Sequence, residues 1–179
     1  MPAEPDIRFE PVTPAHFPLL RGWLNSEHLR HWWGDPETEF GIIVDMVEGR
    51  DGGHPFLFFC DKRAVGYIQY WHIGAHQTML WTKDNPWLLQ LEPETVGVDI
   101  AIGNEDDLAR GLGTAALKRF ARMLRGMGHH AIIIDPDREN HRAIRAYEKA
   151  GFLPVPHLVG QTQGVVIMHH VPQSEPYPE

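Results

Sequence analysis

The sequence predicts a mixed α/β domain built around one sheet, and three observations favour that fold class. Runs rich in β-branched and aromatic residues alternate with amphipathic segments along the 179-residue chain. Residues 55–73 hold two such runs separated by a short polar turn, which is typical of an antiparallel hairpin. Residues 96–135 have a strand–helix–strand pattern, which predicts a right-handed parallel crossover.

The first half of the chain is expected to contain three strands and three helical segments. The strands are predicted at residues 7–12, 55–60 and 64–73. Helical segments are expected over residues 14–25, 26–34 and 37–49, the first capped by Thr13 and opened by Pro14. Residues 74–94 contain prolines and tryptophans without a clean period, so we expect a long surface loop of a kind that is often functional.

The second half is expected to hold two helices among four strands. A helix preceded by a glycine-containing turn should end near Met127, before Gly128, and a second should run over residues 140–150, before Gly151. The strands are predicted at residues 95–103, 131–135, 151–159 and 164–171. Residues 1–172 should therefore form a single domain, with residues 173–179 as a disordered tail.

Composition narrows the possible partners. The formal net charge is −8, which argues against a nucleic-acid surface and is compatible with a small cationic partner. No run of about 18 apolar residues is present, so no membrane partner is expected. The single cysteine, Cys60, fits a reducing cytoplasm, which is the expected location. The twelve histidines have no spacing typical of a metal site, so no metal is expected.

The segment ARGLGT, residues 109–114, lies where a helix is expected to begin. Closely spaced glycines there allow backbone N–H groups to approach an anion. A Walker loop is excluded because Thr114 and Ala115, and no lysine, follow Gly113. A dinucleotide fingerprint is disfavoured because seven residues separate Gly103, at the end of the strand, from Gly111. An acyl-coenzyme A pyrophosphate site and a simple glycine turn remain.

Three segments together resemble the GNAT family of acetyl-CoA-dependent N-acetyltransferases. They are GVDIAIG at 97–103, ARGLGT at 109–114, and DP at 135–136 followed by NHRAIRAYEKAGF at 140–152. Leu108 departs from the glutamine or arginine that many members carry there. The resemblance implies a sheet splayed into a V, with flanking helices and with acetyl-CoA bound in the gap. The residues implied to bind it are Ile100, Ala101, Ile102, Arg110, Gly111, Leu112, Gly113, Thr114, Asn140, Ala143 and Tyr147.

Amine acetylation needs a group that accepts or orients the amine and a proton donor for the thiolate. Asp99 lies amid apolar strand residues, where a carboxylate is costly unless it is paired or solvated, so a cleft position is expected. This makes Asp99 a candidate base or ammonium anchor. Tyr147 shares one helical face with Asn140 and Ala143 and is the candidate acid. A core tyrosine and a simple N-cap at Asn140 are the alternatives.

A narrower resemblance joins the segment WLNSEHLRHWWG, residues 23–34, with Trp87 and GVDIAIG. Together they look like aminoglycoside 6′-N-acetyltransferases. That likeness implies a pocket for a cationic amine, walled by Trp33 and Trp87 and lined by Asp84, Asp99 and Asp135. It also implies a monomer or homodimer.

Two other functions stay open. Acyltransferases that modify N6-hydroxylysine in siderophore biosynthesis share the HWW, DP and NxRAIRAYEKxGF segments, but they typically carry histidine where this chain has Asp99. A non-catalytic sensor that retained the acyl-CoA cradle is the third possibility, which the presence of both Asp99 and Tyr147 disfavours.

Overall fold

The computed structural model describes residues 5–172, which form one seven-stranded sheet flanked by helices. The tail predicted at residues 173–179 lies outside the described residues. The strands, in chain order, are β1 (Ile7–Pro11), β2 (His54–Cys60), β3 (Arg63–His72), β4 (Val96–Ile102), β5 (Ile132–Ile134), β6 (Phe152–Pro154) and β7 (Met168–His170). Their order across the sheet is β1-β2-β3-β4-β5-β7-β6. Only β4 and β5 pair in parallel, so the mixed α/β sheet that the sequence predicts is confirmed.

Seven α-helices are found within residues 5–172. They are α1 (Phe17–Leu24), α2 (Glu27–Trp33), α3 (Pro36–Val47), α4 (Ile73–His76), α5 (Met79–Thr82), α6 (Leu112–Gly126) and α7 (His141–Lys149). Short 3-10 turns occur at Pro14–His16, Pro86–Gln90, Glu105–Asp107 and Pro156–Leu158. No helix in this part of the chain is long and apolar enough to cross a membrane.

Helices pack on both faces of the sheet because strand side chains alternate. On β2, Leu57 joins the core beneath α1 and α3, while the next residue, Phe58, joins the core beneath α6. Helix α6 fits the second face through a buried apolar stripe centred on Phe120, whose ring contacts Phe9 at a centroid distance of 5.1 Å and Phe56 at 5.7 Å. Both faces of β2 and β3 are therefore buried, and these strands form a rigid base for β4.

The sheet splays where β4 passes β5. The two strands pair only at Val96↔Ile132 and Gly97↔Ile133, yet β4 continues to Ile102. On its other side β4 pairs with β3 along its full length. The β5-facing edge of β4 is thus left without a strand partner beyond Gly97, which confirms the expected V and opens a cleft.

Residues 74–94 differ from the long loop that the sequence predicts. They contain α4, α5 and the 3-10 turn Pro86–Gln90. The turn buries Trp87 and Leu88 against Ile73 in a third core cluster, so the segment is anchored by packing. The strands predicted at 151–159 and 164–171 are also shorter, because Pro154 and Pro156 lack the N–H that would extend the ladder.

Candidate active site

A cavity of about 250 Å³ occupies the V between β4 and β5. Its walls come from α2, α3, β3, β4, β5 with its following turn, and α7. The lining residues are Trp32, Trp33, Glu39, Gln69, Val98, Asp99, Ile100, Ile134, Asp135, Pro136, Asp137, Asn140 and Tyr147. The structure therefore brings together Trp33, Asp99, Asp135, Asn140 and Tyr147, all of which were singled out from the sequence.

Asp99 lies at the centre of this cleft, directly opposite Gln69 in the β3–β4 ladder. Its Oδ2 accepts hydrogen bonds from Gln69 Nε2 at 2.8 Å and from Trp71 Nε1 at 2.9 Å. Within residues 5–172, no hydrogen bond to Oδ1 is present. Burial raises the pKa of Asp99, while the two hydrogen bonds and nearby His76 act in the opposite direction. The open oxygen can therefore receive an amine.

The charge of Asp99 contributes to a raised pKa at two further carboxyl groups of the cleft. The pKa of Asp135 is raised well above its usual value, first by burial and then by Asp99. The pKa of Glu39 is raised by burial and by the charges of Asp99 and Asp35. Among the described residues, no lysine or arginine lines the cavity to offset them. A bound cation would relieve this repulsion, so the electrostatics of the site favour a positively charged ligand.

Tyr147 faces the carboxyl groups from α7. Burial, reinforced by the charges of Asp99 and Asp135, raises the pKa of its phenol far above the normal value. The hydroxyl therefore stays protonated at neutral pH and can donate to a developing anion. Its neighbour in the lining, Asn140, caps α7 by accepting from the Ala143 amide at 3.2 Å, which leaves the Nδ2 donors of Asn140 available. Ala143 is half-buried and is not among the lining residues of the cavity.

The glycine-containing turn before α6 points the first backbone N–H groups of the helix away from the helix hydrogen bonds. Gly111 has φ 77°, a left-handed conformation that suits glycine. The first helical amide bonded back to this turn is that of Ala115, which donates to Gly111 O at 3.0 Å. The preceding amides of Leu112, Gly113 and Thr114 belong to the first turn and have no intrahelical partner. They are positioned to bind a phosphate.

A buried carboxylate that sequence reasoning missed anchors this turn. Asp107 receives two hydrogen bonds from Arg63, at 2.6 and 2.8 Å, and one from Arg110 at 3.4 Å. Arg110 is exposed, so its guanidinium can contact solvent and ligand while it remains next to Asp107. Thr114 links the same turn to α7 by donating its hydroxyl to Ala146 O at 3.1 Å.

The open edge of β4 completes the cofactor side. Ile100, Ala101 and Ile102 lie opposite β3 residues in the ladder and have no strand partner toward β5 within residues 5–172, although the Ile102 carbonyl lies 2.8 Å from His28 Nε2. An extended amide-containing chain can pair with such an edge as an added strand. Its path would run from the first turn of α6 toward Asp99 and Tyr147.

Two residues expected in the substrate pocket lie elsewhere. Trp87 is only 6% exposed and packs with Ile73 and Leu158, because Pro86 begins the 3-10 turn that directs the indole into the core. Asp84 is exposed after α5. Neither residue lines the cavity, so the structure does not bring them together with Trp33, Asp99 and Asp135.

Several residues in or next to the cavity escaped sequence reasoning, among them Trp32, Glu39, Gln69, Trp71 and Asp137. The alternation along β3 could have indicated Gln69 and Trp71, since they lie two residues apart and share a face. No local pattern indicates Glu39, because its position depends on how α3 docks.

Residues 13–159 match the family described as acetyltransferase (GNAT) domain. The chain belongs to the GNAT acetyltransferase family. This confirms the resemblance drawn from the sequence, and the splayed sheet and the turn before α6 are what that family membership leads one to expect. The family match also establishes that the protein is an acyltransferase. No group of histidine, cysteine, aspartate or glutamate within residues 5–172 is arranged to hold a metal ion.

Relatives of this GNAT protein include aminoglycoside N(6′)-acetyltransferase type 1 of Klebsiella pneumoniae, which is 29% identical over 149 residues, covering 79% of this chain and 71% of the relative. A kanamycin resistance protein of Rhizobium radiobacter is 35% identical over 77 residues, covering 42% of this chain and 71% of the relative. The crystal structure of aminoglycoside acetyltransferase AAC(6′)-Ib with coenzyme A superposes with a TM-score of 0.75 at 26% identity, covering 93% and 95% of the two chains. AAC(6′)-Ib with paromomycin and acetyl-CoA gives 0.76 at 25% identity, covering 93% of each chain.

Proposed function

We propose that this GNAT protein transfers an acetyl group from acetyl-CoA to a primary amine of an aminoglycoside, at the 6′ position. The observation that carries the proposal is the charge of the cleft. Four carboxylate side chains and two tryptophans line it, without a lysine or arginine: Glu39, Asp99, Asp135, Asp137, Trp32 and Trp33. The names of the relatives, which are aminoglycoside 6′-acetyltransferases, agree with this chemistry.

A polycationic aminosugar fits such a lining physically. Charge-assisted hydrogen bonds between ammonium groups and carboxylates are shorter and stronger than neutral ones. The faces of Trp32 and Trp33 offer apolar surface and cation–π attraction to a charged sugar ring. Each ammonium that enters also reduces the repulsion that raises the pKa values of Asp135 and Glu39.

Acetyl-CoA would occupy the opposite side of the V. The amides of the first turn of α6 and the guanidinium of Arg110 are the phosphate donors. The free edge of β4 would pair with the pantetheine amides, and Asn140 would donate to the same arm. The thioester supplies the activated acetyl group. The space beside Gly113 is open within the described residues, since a Cβ there would make one ordinary contact, with Ile102 Cδ1 at 3.8 Å.

The transfer itself needs two proton movements. The open Oδ1 of Asp99 would hold the substrate ammonium and take up its proton, directly or through water, so that the nitrogen lone pair can attack the thioester carbonyl. The C–N bond forms and the C–S bond breaks. Tyr147 would donate its phenolic proton to the departing sulfur and recover a proton from the new amide nitrogen.

The cleft is less suited to N6-hydroxylysine. That substrate carries an α-carboxylate, which needs a basic partner, and its hydroxylamine nitrogen is a weak base. The lining offers carboxylates and no arginine or lysine. Binding an amino acid here would therefore place its carboxylate among like charges, a juxtaposition that costs several kcal/mol.

The test is acetyl-CoA consumption by the purified protein, followed as free thiol, with kanamycin, tobramycin and N6-hydroxylysine in parallel. We expect turnover with the two aminoglycosides and none above the acceptor-free rate with N6-hydroxylysine. Turnover with N6-hydroxylysine alone would overturn the proposal. Tight acetyl-CoA binding without turnover of any amine would indicate a sensor.

A further inference from the structure

The catalytic carboxylate is held by three side chains from one face of β3, which we call the β3 clamp: Tyr67, Gln69 and Trp71. Their spacing of two residues directs all three toward the face that carries Asp99. Gln69 and Trp71 both donate to the same oxygen, Oδ2. The two oxygens of Asp99 are therefore in different environments. Oδ2 accepts two hydrogen bonds, whereas Oδ1 accepts none from the described residues.

Tyr67 sets the orientation of Gln69. The Tyr67 hydroxyl donates to Gln69 Oε1, so the amide presents Nε2 to Asp99. A rotated amide would place Oε1 against Oδ2, acceptor against acceptor. Tyr67 is 2% exposed, and burial raises the pKa of its phenol well above the usual value, which keeps the donor protonated. The amide therefore has one favourable orientation.

Trp71 reaches Asp99 because the residue paired with it has no side chain. In the β3–β4 ladder Trp71 lies opposite Gly97, two residues before Asp99. A Cβ at Gly97 would lie 2.4 Å from Cε2 of the Trp71 indole, far closer than side chains approach. The indole occupies this gap, and it also contacts the ring of His76, with the two ring centroids 4.7 Å apart. Glycine at position 97 thus provides the space for the hydrogen bond.

We propose that the β3 clamp divides the two oxygens of Asp99 between two tasks: Oδ2 is held by Gln69 and Trp71, and Oδ1 is presented to the acceptor amine. Gln69, Trp71 and Tyr67 are positioning residues in this assignment. The inference rests on the proposed amine acetyltransfer for the role of Oδ1, whereas the hold on Oδ2 is a property of the protein alone.

The two hydrogen bonds of the clamp act against the burial that raises the pKa of Asp99. Glu39 from α3 and Asp135 from the turn after β5 present like charge to Asp99. Burial, and then the charge of Asp99, raises the pKa of the Tyr147 phenol on α7 and of the Tyr67 phenol on β3. Besides the two donors, the cation that faces Asp99 is His76 from α4, when it is protonated. Loss of one donor should therefore make Asp99 harder to ionise.

The experiment compares Trp71→Phe with Trp87→Phe. Trp87 is a matched control because its indole packs in the core cluster that Trp71 borders, while its Nε1 has no hydrogen-bond partner within the described residues. The pKa of Asp99 is read in the free protein by carbon NMR of labelled aspartate, assigned with Asp99→Asn. We expect Trp71→Phe to raise it by about one pH unit, the size of one charge-assisted hydrogen bond, and Trp87→Phe to leave it unchanged.

Gln69→Met and Tyr67→Phe give independent routes if Trp71→Phe does not fold. Methionine keeps the length of Gln69 without its donor, so it should act like Trp71→Phe, and Tyr67→Phe should act in the same direction more weakly. With an accepted amine, the acid limb of kcat/KM should move to higher pH by the same amount as the NMR titration. An Asp99 pKa that is unchanged or lowered in folded Trp71→Phe and Gln69→Met would overturn the clamp. The NMR result decides this even when no amine is acetylated, an outcome that defeats only the proposed function.

Discussion

The two sides of the V are built by different means. The side proposed for acetyl-CoA offers backbone groups: the first-turn amides of α6 and the edge of β4 that has no strand partner within the described residues. The acceptor side uses side chains from α2, α3, β3, the turn after β5, and α7. Backbone groups recognise what all acetyl-CoA molecules share, and side chains can change without disturbing the sheet.

The two sides of the V also differ in the charge of their side chains. The cofactor side pairs Arg63 and Arg110 with one buried carboxylate, Asp107, so arginine remains available for phosphate. The acceptor cavity contains carboxylates and no basic residue. Substitutions on one side should therefore change binding of one substrate and leave the other intact.

Removal of the central carboxylate should have the largest effect. Asp99→Asn keeps the shape of the side chain but removes the anion that we propose holds and deprotonates the amine. We expect kcat/KM for kanamycin to fall by about 1,000-fold, within the range for a general base. Calorimetry should show an unchanged acetyl-CoA affinity. Asp84→Asn, at an exposed carboxylate outside the cavity, is the control and should retain wild-type rates.

On the cofactor side, Gly113→Asp should weaken acetyl-CoA binding by about 100-fold, because it places a carboxylate where phosphate is expected. Gly113→Ala is the matched control, since its Cβ would make only an ordinary contact with Ile102. Isothermal titration with acetyl-CoA measures both. An aspartate variant that binds as tightly as the alanine variant would exclude the first turn of α6 as the phosphate site.

Tyr147 lies between the two sides of the V. Loss of its hydroxyl should therefore slow acetyl transfer and leave the affinities for acetyl-CoA and for the amine unchanged. Tyr147→Phe should lower kcat by about 30-fold, with KM for the amine nearly unchanged, because proton donation to sulfur is needed only in the transition state. Single-turnover measurements separate this step from product release. A kcat equal to that of the wild type in single turnover would remove Tyr147 from the chemistry.

Glu39 should determine which amines are accepted. Glu39→Gln should reduce kcat/KM by about 10-fold for kanamycin, which carries several ammonium groups, and change it little for a monoamine. The control is Glu37→Gln on the same helix, whose carboxylate pairs with Arg21 at 3.1 Å and lies outside the cavity. Equal losses for both kinds of acceptor would show that Glu39 has no part in selectivity.

The smallest expected effect is that of Asp135→Asn on the melting temperature. Burial raises the pKa of Asp135 in the folded chain, so its stabilising protonated form is lost as pH rises through that pKa. The Asp135→Asn variant carries a neutral amide at every pH, so it should melt a few degrees higher than the wild type at pH 8. The difference should vanish near pH 4, where both side chains are uncharged. A lower melting temperature at pH 8 would show that the charge of Asp135 is compensated in the folded state.

The sequence predicted features that depend on local pattern better than features that depend on how helices dock. Glycines near the start of α6 and the apolar pattern of β4 are local signals, and Asp99 stood out because a carboxylate interrupts that pattern. Glu39 could not be found this way, since it reaches the cleft only through the docking of α3 against α1 and β2. Trp87 was expected in the substrate pocket, but it packs in a core cluster. The aperiodic sequence around it gives no sign of this packing.

The measurement that tests the central claim most directly is the position of the acetyl group on the kanamycin product, determined by NMR after complete conversion with acetyl-CoA. The proposal predicts a single N-acetyl group on the 6′-amine. Acetylation at a different amine, or no product while N6-hydroxylysine is acetylated, would contradict it.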